Sequence, residues 1–314
     1  GARKNAAKVD RVIKEELSEG NFQTSNTPPD MISALNAVEK PNGDIRLILD
    51  CSRPENCSVN DDATLESQTY QSVQDAKASI GPNWYMAKVD LKNAYRCVPI
   101  CPENYAFTGM EWTFADDIFP TWMFDTRLPF GGRKSPGIFH RITQAVKRIM
   151  ERKGYSGIVV YLDDFFIAGP TFQACAEAYS VLIQVLRSLG FQINWQKVVD
   201  PCQKLTFLGV CIDSVQGIVS LDPDKLDTFV RVVRDFRNKR RATKRQLQHL
   251  AGKLSWASNV IDWGRLHTRG IFNLIAKLER GHHKCKLIDI YEDLDWWLFH
   301  LSHTSNNKRI WDTR

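Results

Sequence analysis

The sequence predicts an α+β chain that gives way to an all-helical C-terminal unit, and three observations carry that reading. Extended apolar runs flank turn residues at Lys40 to Asp44 and again at Asp163-Asp164. Helix-period stripes lie between and after them, at Phe139, Ile142, Val146 and Ile149, and at Phe172, Tyr179, Leu182, Ile183, Leu186 and Leu189. Beyond Asp222-Pro223 strand signals become sparse and three helical segments follow, which places a domain boundary near residue 221.

Each element has a local reason. Val9, Val12, Ile13 and Leu17 recur at helical spacing up to Gly20, and a polar loop around Pro28-Pro29 follows. From Ala37 to Asp50, two apolar runs enclose Lys40-Pro41-Asn42-Gly43-Asp44, the arrangement of a β-hairpin. Ser135-Pro136 reads as a helix cap with proline at the first helical position, opening a helix to about Met150. The runs Ile158–Leu162 and Phe165–Gly169 are β-rich and put Asp163 and Asp164 at the bend of a second hairpin. A helix over 172–189 follows and stops at Gly190. Thr243-x-x-Gln246 is a capping box, and Leu247, Leu250, Leu254 and Ala257 line the helix it opens.

Composition narrows the function. The 314 residues are 43% hydrophobic and 25% charged, which excludes a disordered chain and allows two or three packed units. The apolar stretches fall far short of the roughly 18 residues a membrane span needs, so no bilayer crossing is expected. The net charge of +6 is uneven: residues 222–314 carry 19 basic and 11 acidic side chains, leaving −2 for the first 221. A basic end on a near-neutral body points to a polyanion, nucleic acid first. Eight cysteines without a dense framework read as reduced thiols of an intracellular protein, in cytoplasm or nucleus. Gly1-Ala2, without Met or an apolar leader, reads as a trimmed start. His282-His283-x-Cys285 and Cys97-x-x-x-Cys101 lack a second ligand pair at zinc-finger spacing and read as structural.

Adjacent Asp163 and Asp164 at a strand bend repel one another, a conflict that a divalent cation resolves. Asp90, which ends the extended run Tyr85–Asp90, supplies a third carboxylate if its strand lies beside that hairpin. Three hard oxygen ligands suit Mg²⁺ with substrate phosphates, and two ions about 3.5–4 Å apart are the arrangement of phosphoryl transfer.

At these residues a resemblance enters. Tyr161-Leu162-Asp163-Asp164 resembles the catalytic Tyr-x-Asp-Asp box of reverse transcriptases. Asp90 to Tyr95 is similar to the family's first metal-binding box, and Leu128-Pro129-Phe130-Gly131 with Ser135-Pro136 to its template and nucleotide box. Leu189-Gly190-Phe191 through Lys197 resembles the lysine-bearing box, and Phe207-Leu208-Gly209-Val210 the primer grip. Gln248 to Ser258 is very close to the thumb helix of retroviral enzymes. These matches stand in the family's order over roughly residues 37–275. Pro41 to Arg46, Asn194 to Lys197 and Gly264-Arg265 resemble most closely the polymerases of LTR-retrotransposon-like elements, the tyrosine-recombinase (DIRS-like) group among them.

The resemblance implies a right-hand polymerase: fingers and palm in 1–221, a helical thumb in 222–281, and the start of a connection in 282–314 that is too short for ribonuclease H. It implies an RNA-directed DNA polymerase of retrotransposon replication, with RNA or DNA template, an RNA or DNA primer and dNTPs as partners. It also implies two Mg²⁺ ions, replaceable by Mn²⁺, on Asp90, Asp163 and Asp164, with Asp90 and Asp163 bridging them. Lys40 and Arg46 would meet the triphosphate as a point charge and a bidentate fork. Tyr95 would exclude a ribose 2′-hydroxyl. Phe130 stands where many retroviral enzymes carry glutamine, and Gly131 would let backbone approach the nucleotide. Lys197 would protonate the leaving pyrophosphate. Gln248, Gly252, Lys253 and Trp256 would form a flat face for a duplex minor groove, beside nine cations between Lys225 and Arg245. Two rivals stay open, a domesticated non-catalytic nucleic-acid-binding protein and an RNA-dependent RNA polymerase. Trp296 and Trp297 read as helix-core or docking residues.

Overall fold

The computed structural model describes residues 1–40, 43–64, 67–302 and 307–311. Helix α1 (Ala6–Ser18) buries Val9 and Ile13, one turn apart, in a core shared with Phe22 and with Ile45, Leu47 and Leu49. Phe22 belongs to β1 (Phe22–Ser25), a strand within the stretch expected as loop. With one buried residue in four, it is too short to display an alternating pattern. The hairpin expected over 37–50 is β2 (Ala34–Glu39) and β3 (Ile45–Asp50), with Val38 opposite Arg46, while Pro41 and Asn42 of its turn lie outside the described residues. A short helix, α2 (Val73–Ala78), leads to β4 (Tyr85–Asp90). Two more strands, β5 (Gly109–Trp112) and β6 (Thr121–Asp125), form a three-stranded sheet with β1.

Helix α3 (Ser135–Arg152) begins at Ser135 itself; Lys134 occupies the cap position, one residue earlier than the sequence suggests. The central sheet combines β4 with β7 (Ile158–Tyr161), β8 (Asp164–Gly169) and β9 (Val199–Cys202) in the antiparallel order β7-β8-β4-β9. Both of its faces are covered. Val89, Val160, Phe165 and Ile167 pack with α3 and with α4 (Phe172–Ser188) through Phe139, Val146, Met150, Leu182 and Leu186. Met86, Val159, Phe166 and Ala168 pack on the opposite side. Burial on both faces is why these strands read as unbroken apolar runs and not as alternating ones.

The second face meets β10 (Lys204–Phe207), β11 (Val210–Asp213) and β12 (Ile218–Leu221), and through them the helical unit. Asp222 caps α5 (Pro223–Arg237), accepting from the Asp224 N–H at 3.2 Å. Strand β13 (Arg241–Thr243) precedes α6 (Lys244–Ala257), whose Thr243/Gln246 capping box forms as the spacing predicts. Then come α7 (Arg269–Ala276), β14 (Lys284–Lys286) paired with β13, and α8 (Tyr291–Ser302). Residues 282–302, expected to open a following segment, are packed into the same bundle: α8 lies on α5, and Leu294, Trp297 and Leu301 join its core. Trp296 stacks on His267 at 4.0 Å and meets a tilted His300 ring at the same distance. Strand β15 (Asn307–Arg309) returns to β12; residues 303–306 and 312–314 lie outside the described residues. None of the described helices is long and apolar enough to cross a membrane.

Candidate active site and nucleic-acid groove

Backbone register brings the three aspartates together. Asp90 at the end of β4 is the cross-strand partner of Asp164 at the start of β8. Tyr161 pairs with Asp164, so Leu162 and Asp163 make a two-residue turn, and Leu162 takes the left-handed conformation at φ 52°. The Leu91 N–H donates to the Asp163 carbonyl at 3.1 Å and ties that turn to β4. Asp90 is buried, with 4% of its surface exposed. Burial raises the Asp163 pKa above the usual carboxylate range, and the charges of Asp164 and Asp90 push it the same way. Burial also raises Asp164, opposed by Lys88 and reinforced by Asp90.

Lysines meet this negative charge. Lys88 Nζ stands 2.9 Å from Asp164 Oδ1, and Lys197 Nζ stands 3.3 Å from Asp90 Oδ2. Asn194 clamps Asp90 twice: its Nδ2 donates to Oδ1 and its backbone N–H to the Asp90 carbonyl, at 2.9 and 2.8 Å. Among the described residues no three His, Cys, Asp or Glu side chains converge on one point that would hold a metal. The strand ends bring the aspartates into register, and two of the three carboxylates are paired with lysines.

Beside the turn lies an aromatic floor. Tyr95 stacks on Phe130 with centroids 4.9 Å apart and 24° between planes, and leans on Phe139 at 5.4 Å. The Arg46 guanidinium lies 5.0 Å from the Phe130 ring, and Arg96 approaches the same ring at 5.7 Å. Arg96 is itself held by Asp125 at 2.6 Å and Glu16 at 3.3 Å. Burial, then the Asp163 charge, pushes the Tyr95 hydroxyl up to about 12, so it remains a neutral hydrogen-bond donor. Phe130 is fixed by its own backbone, whose carbonyl accepts from Leu49 N–H at 2.8 Å. Gly131 has φ 124°, and a Cβ there would overlap the Leu49 carbonyl. The close approach this glycine permits is therefore to β3. Lys40 is exposed where the hairpin turns, its N–H donating to the Asp44 carbonyl at 2.7 Å, and no hydrogen bond or ion pair joins it to Arg46, Tyr95 or the aspartates.

The four residues expected as a primer grip divide by burial. Phe207 and Val210, paired at the end of β10 and β11, are fully buried, and Phe207 packs on Phe166 at 5.1 Å. Leu208 and Gly209 form the turn between them, with φ 48° and 79°, and are partly exposed. Further out, Gln248, Gly252, Lys253 and Trp256 gather as expected on one face of α6, lining an open groove of about 530 Å³ with Lys225, Thr228, Phe229 and His249. Phe229 meets Trp256 edge-on at 5.6 Å, and Lys225 Nζ lies 4.5 Å from the Trp256 ring. No neighbour lies within 4 Å of where a Gly252 Cβ would stand.

The family model described as reverse transcriptase (RNA-dependent DNA polymerase) matches residues 38–212, more than half of the chain. The chain belongs to the reverse transcriptase family. Its relatives include the Gag-Pol polyprotein of avian reticuloendotheliosis virus, 28% identical over 177 residues, which cover 55% of this chain and 14% of that polyprotein. The Pro-Pol polyprotein of feline foamy virus is 28% identical over 255 residues, 80% of this chain and 19% of the relative. The chain thus spans a small part of the length of these relatives. A foamy viral protease-reverse transcriptase in complex with double-stranded DNA superposes with a TM-score of 0.75 at 22% identity, over 95% of this chain and 48% of that one. The same kind of enzyme with an RNA/DNA hybrid gives 0.74 at 22% identity, over 96% and 37%. At this identity the likeness establishes the right-hand reverse transcriptase fold.

Several residues of the candidate site have little or no signal in the sequence. Lys88 lies two positions before Asp90 and so on the same strand face, a signal that period-2 counting offers. Asn194 opens the Asn-Trp-Gln-Lys segment, in which the sequence suggests a role for Lys197 only. Arg96 follows Tyr95 directly, and its burial between two acids could not be read from spacing.

Proposed function

We propose that this chain is the polymerase portion of an RNA-directed DNA polymerase, extending a primer 3′-hydroxyl with dNTPs on an RNA or DNA template in retrotransposon replication. The observation that carries the reading is the cross-strand pair Asp90 and Asp164 with Asp163 in the adjoining turn, beside the Tyr95, Phe130 and Arg46 floor. Fingers and palm occupy 1–221 and the thumb runs from 222, with α8 counted in it because it packs on α5. RNA/DNA and DNA duplexes lie along the groove of Gln248, Gly252, Lys253 and Trp256. Eight free thiols suit the reducing cytoplasm or nucleus of a host cell.

Carboxylates raised by burial and mutual repulsion are a donor set that a hard divalent cation relieves. Asp90, Asp163 and Asp164 would hold two Mg²⁺ ions, or Mn²⁺ in their place, once Lys88 and Lys197 release them. Bound there, such ions lower the pKa of the primer hydroxyl and neutralise triphosphate charge. The residues of the chain do the positioning. Arg46, and Lys40 from the hairpin tip, draw in the phosphates; Tyr95 on Phe130 closes the space that a 2′-hydroxyl needs; Gly131 keeps the Phe130 loop on β3. Lys197, mostly exposed and beside Asp90, is placed to give a proton to the departing pyrophosphate. Phe207 and Val210 hold the turn Leu208-Gly209 against the primer. Catalysis here is orientation plus charge stabilisation.

The test is primer extension on an RNA template with dNTPs and Mg²⁺, comparing the chain with Asp163→Asn. Extension by the wild-type chain that vanishes in the variant supports the polymerase. Intact duplex binding without any extension favours a non-catalytic binding protein instead.

A further inference from the structure

Lys225 stands where palm and thumb meet. It rises from the first turn of α5, its Nζ lies 4.5 Å from the Trp256 ring, and a Cβ on Gly209 would overlap that Nζ. The turn Leu208-Gly209 and the groove face of α6 therefore share one ammonium group. Lys253 Nζ sits 5.3 Å from the Phe229 ring in the same groove, and Lys88, paired with Asp164 in the palm, is near enough for its charge to act on Lys225. Three cations thus mark a path from the Asp163 turn to α6. Burial, with Lys88 and Lys253 adding to it and Asp222 opposing, lowers the Lys225 pKa from its ordinary value. Like charges gathered beside one groove favour an anion between them.

Three other members of the basic run are held by partners within the helical unit. Arg237 is paired with Asp295 at 2.7 Å, Lys239 with Asp235, and Lys244 with the carbonyls of Leu278 and Glu279. Of the nine cations between residues 225 and 245, Lys225 is the one that lines the groove.

We propose that Lys225 is the phosphate anchor of the primer strand, holding a backbone phosphodiester where the duplex passes from the Leu208-Gly209 turn to α6 and so fixing the 3′ end relative to Asp163. The inference rests on the polymerase reading above. A compact ammonium with three donors, steadied over an aromatic ring, suits a phosphate oxygen without reading sequence. Gly209 is part of the device, since any side chain there would displace the ammonium.

The experiment measures the affinity of the full chain for a labelled primer–template duplex over a range of salt concentrations, for wild type, Lys225→Met and Lys225→Arg, with melting curves for each. Lys225→Met is expected to bind about tenfold more weakly, and to lower the slope of log affinity against log salt by about one unit. Lys225→Arg should keep most of both. In primer extension, Lys225→Met should raise KM for duplex and leave KM for dNTP unchanged. An unchanged salt slope in Lys225→Met overturns the anchor; if affinity and melting temperature fall together at constant slope, Lys225 merely supports Trp256. Absence of duplex binding by the wild-type chain at any salt would instead overturn the polymerase reading and the anchor with it.

Discussion

The palm turn and the thumb groove solve opposite problems. At Asp163 the groups are few, partly or fully buried and placed by main chain: a strand pairing, a two-residue turn and the Leu91 to Asp163 hydrogen bond put three carboxylates on neighbouring strand ends. In the groove the groups are side chains of two helices around open space, with an aromatic pair and two lysines. Chemistry tolerates little displacement of reacting atoms, so it is built on backbone register. On the proposed function, grip on a duplex of any sequence tolerates more and can rest on a face.

The largest expected effect breaks the palm alone. Asp163→Asn should lower the extension rate by on the order of 10³-fold or more, the scale seen when charge stabilisation is removed, while duplex affinity stays within about twofold of wild type. Rate and binding assays on one preparation check it. Next, Tyr95→Val should relax discrimination against ribonucleotides by roughly tenfold or more, read from kcat/KM for dNTP and NTP in turn; unchanged sugar selectivity would remove Tyr95 from that role.

Gly252→Ala probes the other region. The added methyl meets open space and replaces glycine inside α6, so melting should rise by the equivalent of about 0.5–1 kcal/mol. The same methyl stands on the face a duplex must approach, so affinity should fall, by about five- to tenfold. A variant that is more stable and binds equally well would contradict the groove assignment. The smallest effect concerns Lys88. In Lys88→Met, Asp164 loses its partner, so the metal-free protein should melt a few degrees lower, and added Mg²⁺ should restore more stability than it adds to wild type. Thermal denaturation with and without the ion decides it.

Legibility followed the same division. The Asp163 turn could be read because apolar runs flank two acids, and α6 because Thr243 and Gln246 announce its start. What stayed hidden is what only tertiary pairing creates. Lys88 meets Asp164, and Arg96 meets Asp125 and Glu16; period-2 counting puts Lys88 on the strand face of Asp90 without naming its partner, and the Arg96 pairing has no spacing signature. Phe207 and Val210 looked like part of a nucleic-acid contact and turned out to be core, because alternation across a tight hairpin sends them inward. The cations of 225–245 are close in sequence, yet only Lys225 among them lines the groove, while Arg237 and Lys239 pair with Asp295 and Asp235. Gly131 is required by an approach between two segments of the chain that no local pattern shows.

The central claim is that chemistry and grip reside in separate places, and single-turnover incorporation on a preformed RNA/DNA primer–template tests it most directly. Asp163→Asn and Gly252→Ala are run side by side with wild type as duplex concentration is raised to saturation. The expected result is that Gly252→Ala regains the wild-type rate at saturation, while Asp163→Asn stays slow at every concentration. A Gly252→Ala rate that remains low on saturated enzyme, or an Asp163→Asn rate close to wild type, would contradict it.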